Sequence, residues 1–223
     1  MSCIEPPLPE CLAAIEAQEG GPYHVVHVKD VVPMSAAFNA MILSTDARFV
    51  VQVDGDVVLK PWAVRTLYTK LRCTPGVYMA WGQLFEDGWG LGGSVRIWRR
   101  WPLRIFRFRD RRCVDRDLHA RIRWTGMRRL PVDAGEPFGI HYPRNTPFAR
   151  WSKAKGDCAK WRYLRRGDLI EEHCRKCPSG KSFDAMGRFA GLSMTKEEIA
   201  RSKNTMRDRC EYNHALRLGK LCE

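Results

Sequence analysis

What this chain lacks narrows its class before any motif is considered. Nowhere in its 223 residues does an apolar run approach the roughly 20 needed to cross a bilayer as a helix. Its start, MSCIEPPLPECL, carries acidic residues and prolines where a secretory signal would place positive charge and then an apolar stretch, so a cytoplasmic protein is expected. There is no internal repeat and no nucleic-acid-binding motif. Acidic side chains are in short supply: 25 Asp and Glu stand against 38 Lys and Arg, for a formal charge of +13. Such a surface attracts anions, and nucleic acid, acidic membrane and phosphorylated small molecules all qualify. Nine cysteines, an odd number without an export signal, predict reduced thiols rather than disulfides.

What is present reads as one substantial domain with an appendage. Hydrophobic residues make up 44% of the chain, an ordinary globular share. Residues 10–19 are rich in helix formers and stop at Gly20-Gly21. Residues 23–32 alternate and are β-branched, which predicts a strand, and residues 35–43 fit a helix with Ser35 near its N-cap. Residues 48–59 form the most apolar run of the first half and read as a central strand, with Pro61 opening a helix over 62–71. Strands are expected at 77–84 and 94–98, and a helix at 114–125. This alternation predicts an α/β domain over residues 1–150, a mostly parallel central sheet flanked by helices. A mainly helical, cysteine-rich region follows over 151–223.

Asp54 and Asp56 stand where the apolar run 49–53 gives out. In an α/β sheet the ligand crevice lies outside the carboxyl ends of the strands. Alternate residues of an extended chain share a face, so two aspartates flanking Gly55 turn two carboxylates toward one spot. A divalent cation relieves their repulsion, and hard oxygen ligands suit Mg2+ or Mn2+, which in turn bridge phosphate oxygens. The competing reading is a surface turn, since Asp-Gly is common in hairpins.

The order of these features resembles the GT-A-fold glycosyltransferases, most closely family 2. The resemblance rests on CLAAIEAQ ending at Gln18, on SAAFNAMI carrying Asn39, and on VDGDVVLKP with its D-x-D and proline. It covers residues 11–71 well and extends loosely to about residue 151. It implies a Rossmann-like GT-A sheet and an enzyme of hexosyltransferase type, moving a sugar from a UDP- or GDP-type donor to a hydroxyl acceptor. Asp54 and Asp56 would hold Mn2+ or Mg2+ and the diphosphate; Asp30 would contact base or ribose, and Asn39 would shape the donor pocket. RRCVDRDLHARIRWTG is similar to the segment that supplies the catalytic base of inverting members, which assigns that role to Asp115, with Asp117 beside it. Val114 occupies the place of a common glutamate there, and seven arginines between Arg107 and Arg123 leave a salt-bridged helix face as the alternative. His141, in FGIHYP, matches a late histidine that serves as a third metal ligand. Trp89, in the glycine-rich GWGLGGS, could stack on a sugar ring, and basic residues over 144–155 could face the diphosphate. Only Ser2-Cys3-Ile4 precedes Glu5-Pro6, a shorter opening strand than the family's.

Three further expectations concern the remainder. His173, Cys174 and Cys177 with Cys210 and His214 could hold a structural Zn2+; buried thiols are the alternative. RIWRRWPLRIFRFRDRR interleaves aromatics with arginines, which fits a nucleic-acid-binding protein or a strand with snorkelling arginines. A GT-A-like nucleotide-binding protein without turnover is the third possibility, and peripheral contact with acidic membrane is compatible with the charge.

Overall fold

A computed structural model describes residues 2–3, 7–86, 90–142, 147–165, 168, 190–200, 208 and 210–214. The chain divides into two compact units. The first comprises residues 1–31, 36–108 and 115–143, and the second residues 32–35, 109–114 and 144–223.

The first unit is α/β, and its sheet is mixed. Strands β3 (Phe49–Gln52), β6 (Gly90–Arg99), β5 (Val77–Glu86), β8 (Gly139–His141) and β4 (Val57–Leu59) lie side by side in that order, and β7 (Arg128–Val132) also pairs with β5. Within this six-stranded sheet the β5–β7 and β5–β8 pairs are parallel, and β3–β6, β5–β6 and β4–β8 are antiparallel. The mostly parallel sheet expected from the sequence is therefore corrected. The expected central strand over 48–59 is two strands at opposite ends of the sheet path, β3 and β4. Between them the backbone turns, Val57 N–H donating to Asp54 C=O at 3.2 Å. Valine content alone cannot separate an uninterrupted buried strand from two short ones joined by a turn.

Helices α1 (Pro9–Glu16), α2 (Met34–Leu43), α3 (Ala63–Cys73) and α5 (Val114–Arg123) form where periodicity placed them. Leu67, Leu71 and Ala63 of α3 are fully buried against Val77, Ala80 and Ile97 of the sheet. Gln18, just past α1, is also buried. Its Nε2 donates to Ala14 C=O at 2.9 Å and Lys60 C=O at 2.8 Å, and its Oε1 accepts from Val64 N–H at 3.0 Å. One amide thus ties α1 to the first turn of α3.

The strand expected over 23–32 narrows to β2 (Val28–Lys29), paired in parallel with β1 (Ser2–Cys3). Alternation was present, but Tyr23 and Val25 remain 39% exposed with no ladder partner. A cavity of about 380 Å³ lies between this segment, α2 and β3, lined by Tyr23, His24, Met41, Val50 and Val53. The arginine-rich run is also not a continuous strand: β6 ends at Arg99 and α4 (Arg100–Ile105) follows.

Close backbone approaches fix the far side of the sheet. A Cβ on Gly82 would come within 2.2 Å of the Phe138 ring, and one on Gly139 within 2.5 Å of Val58 C=O. Phe138, 1% exposed, donates its N–H to Gln83 C=O and accepts from Lys60 N–H, locking β8 between β5 and β4.

The second unit is helical where described, with α6 (Pro147–Tyr163) and α7 (Lys196–Ala200). Lys155, 3% exposed, is ion-paired to Asp208 at 2.9 Å and to Glu211. It is not a basic residue turned toward a phosphate, as the sequence reading of 144–155 allowed. Arg162 gathers the carbonyls of Gly191, Leu192 and Met194. Cys11, Cys73, Cys113, Cys158 and Cys210 are thiols, not disulfides. His173, Cys174 and Cys177 lie outside the described residues, so the zinc expectation is represented only by Cys210 and His214, both exposed.

Replacing Gln18 with leucine takes the partner from the buried Val64 N–H, while Lys60 C=O keeps only its bond from Ala63 N–H. We expect a loss of about 1–3 kcal/mol, measured as a lower denaturant midpoint at unchanged slope.

Candidate active site

The candidate site forms where β3 hands over to β4. The Asp54–Val57 turn is held from below by α1: Leu8 N–H donates to Gly55 C=O at 2.8 Å, and Cys11 Sγ lies 3.6 Å from Asp54 C=O. The two aspartates therefore leave a turn, not the extended strand end the sequence suggested, yet their carboxylates still act on each other. Because β4 pairs with β8 in the register Val57↔His141, the imidazole arrives beside Asp56, with Nε2 3.4 Å from Oδ2. Its Nδ1 lies 3.9 Å from Glu86 Oε2, since Glu86 is the β5 partner of His141. From β6, Arg96 reaches Asp115 at the start of α5 at 2.5 Å and also donates to Ser94 Oγ at 3.1 Å.

Four carboxylates, those of Asp54, Asp56, Glu86 and Asp115, thus gather around one guanidinium and one imidazole. The Asp54 carboxyl is densely surrounded by protein although the residue keeps an exposed face. Its pKa is raised, first by that loss of water and then by the Asp56 carboxylate, while Arg96 and His141 oppose the rise. The pKa of His141 is raised, first by its hydrogen bond to Asp56 and further by the charges of Asp56, Glu86 and Asp54. Its own partial burial works the other way.

Of the residues singled out from sequence, Asp54, Asp56, Asp115 and His141 are brought together. Asp117 pairs with Arg121 at 2.9 Å on its own helix, in the manner of the salt-bridged face. Asn39 clasps the backbone of Phe108, its Nδ2 donating to the C=O at 2.8 Å and its Oδ1 accepting from the N–H at 2.9 Å. Asp30 is exposed just after β2, in the left-handed region at φ 55°, which aspartate tolerates better than most residues. Trp89 lies outside the described residues.

The sequence reading missed Glu86, Arg96 and Gln52. Arg96 was hidden in the arginine-rich run, but its neighbours show what that run does. Arg99 donates to Val77 C=O and Leu71 C=O, and Arg100 to Ile42 C=O, so these arginines brace the fold. Gln52 lies cross-strand from Arg96, and its Oε1 is buried with no hydrogen-bond partner among the described residues. The signal for Gln52 was its spacing of two from Asp54. Behind Asp115, one turn along α5, His119 shares a 2.6 Å hydrogen bond with buried Tyr78 and stacks on Trp98.

The donor set fits a hard divalent cation in kind: carboxylate oxygens with an imidazole beside them. In number, no three His, Cys, Asp or Glu side chains among the described residues converge as metal ligands. A cation on Asp54 and Asp56 would take its other ligands from water or a phosphate. No family model matches this sequence, and no curated protein matches it significantly.

Burial lowers the His119 pKa to about 4, with the charge of Arg129 adding to the effect. A histidine held neutral in the fold binds fewer protons than in the unfolded chain between about pH 4 and its ordinary 6.5. The stability it contributes is complete above pH 6.5 and is lost as pH falls toward 4. The melting temperature of the native protein should drop over that interval more steeply than that of His119→Gln, as thermal melts across the range would show.

Proposed function

We propose that this protein is a divalent-metal-dependent glycosyltransferase, taking a sugar from a nucleotide-diphosphate donor and passing it to a hydroxyl acceptor. The observation that carries the reading is the gathering of Asp54, Asp56, Glu86 and Asp115 at one turn of a chain whose formal charge is +13. Clustered carboxylates repel, so a turn that sets the Asp54 and Asp56 carboxylates in each other's field favours a cation-dependent ligand. The GT-A resemblance of the sequence around Asp54 adds the diphosphate.

In this reading Asp54 and Asp56 would hold Mn2+ or Mg2+, and the ion would supply charge stabilisation for the diphosphate. Among the described residues, Arg96 is the permanent cation whose charge acts on Asp54. An arginine suits a phosphate as well as a carboxylate, so donor binding would draw it from Asp115 toward the diphosphate. Asp115, relieved of its ion pair, becomes able to accept the proton of the incoming hydroxyl, giving inversion by a single displacement. His141 would orient Asp56 when protonated and present a nitrogen to the cation when neutral.

A second reading, nucleotide binding without turnover, is favoured by one observation: Asp115 is tied to Arg96 at 2.5 Å. Two measurements separate the readings. In calorimetry, UDP or GDP should bind in the presence of Mn2+, and Asp56→Ala should abolish that binding. In a donor-hydrolysis assay, Asp115→Asn should cut sugar release by roughly 10²–10⁴-fold while nucleotide affinity changes little. Nucleotide binding indifferent to manganese would sink the lead reading, and binding without any sugar release would leave the second.

A further inference from the structure

At the other end of β3, away from the aspartates, the surface changes character. Phe49 pairs with Arg99 there, whereas Gln52, two residues before Asp54, pairs with Arg96. Two open grooves meet at this end and share Arg72, Arg99 and Trp101 as walls, so they form one continuous face. Large apolar side chains stand exposed on it and beside it in the chain. Trp101 is 54% exposed, and Ile105, four residues on and hence on the same side of α4, is 64% exposed. Trp124 is 90% exposed, next to Thr125, which lines the groove with Trp101. Folding alone does not explain a tryptophan left almost wholly in water.

The charges around these side chains are mainly positive. Arg48, Arg72 and Arg104 are exposed and make no ion pair among the described residues. Among the described residues that line the grooves the single acid, Asp46, is paired with Arg100 at 3.1 Å. Tryptophan together with arginine is the composition of a protein surface resting at a membrane interface, where the indole sits at headgroup depth and the guanidinium meets lipid phosphate.

We infer that this face, centred on Trp101, Ile105 and Trp124 and ringed by Arg48, Arg72 and Arg104, docks on a bilayer rich in anionic lipid. A nucleic acid would use the arginines and could stack on the tryptophans, but it has no use for a protruding isoleucine. A bilayer uses all three kinds of side chain. Docking through this face leaves the Asp54 turn, at the opposite end of β3, open to water. The inference is independent of the proposed enzymatic activity.

Co-sedimentation of the full chain with vesicles tests it, comparing phosphatidylcholine alone with phosphatidylcholine containing about one-third phosphatidylglycerol. The protein should pellet with the acidic vesicles only and be released by high salt. The double substitution Trp101→Ser, Trp124→Ser should weaken binding by roughly tenfold. Reversing Arg48, Arg72 and Arg104 to glutamate should abolish it, while Lys160→Glu, outside both grooves, should leave it near the native level. All of these side chains are exposed, and unchanged circular dichroism would establish that each variant folds. Equal binding to neutral vesicles, no binding to either, or full binding by the tryptophan variant would overturn the inference. So would an arginine variant that loses an oligonucleotide but keeps the acidic vesicle.

Discussion

The site depends on one close contact, the antiparallel approach of β4 and β8 at Gly139. There the backbone of β8 sits so near Val58 and Leu59 that no side chain fits between them. That contact sets the register that brings His141 to Asp56, and the parallel pairing of β8 with β5 brings Glu86 to the other ring nitrogen. β8 is only three residues long, yet it joins the turn bearing the aspartates to the longest hairpin of the sheet. A slip of one residue would send His141 to the opposite face and dissolve the cluster.

Charge organises the rest in a way that net charge does not reveal. A chain at +13 would be expected to turn its arginines outward, and some do so. Arg96, Arg99 and Arg100 instead point inward to a carboxylate or to backbone carbonyls left at element ends. Arginine suits this work because its five donors can serve several carbonyls from one planar group. The basic excess is thereby divided between bracing arginines within the fold and an exposed ring around Trp101. The carboxylates of the candidate site lie apart from that ring.

The sequence disclosed what is local and withheld what is relational. The amphipathic periods of α3 and α5 and the long apolar run of β5 were readable because each depends on its own residues. The positions of Asp54, Asp56, Asp115 and His141 were also readable, through the order of motifs around them. Strand direction was not, because it is set by partners distant in the chain: β3 pairs with β6 and β4 with β8, although turn residues alone separate β3 from β4. Asn39 shows the same limit. Its helix was predictable, but its clasp on Phe108, 69 positions away, was not. Glu86 and Arg96 escaped notice because nothing in a strand's own sequence marks which side chain will meet a carboxylate or an imidazole from another element.

Phe138 over Gly82 carries a consequence for how this sequence can change by descent. The ring occupies the space of an absent Cβ, and Phe138 is held by backbone bonds to both neighbouring strands. The two positions are coupled: a larger residue at 82 requires a smaller one at 138, and a smaller residue at 138 opens a void beside 82 and Trp62. The two sites form a single heritable unit of packing. Any relative with alanine at 82 should therefore have surrendered the phenylalanine as well, and with it the rigid seat from which His141 is presented.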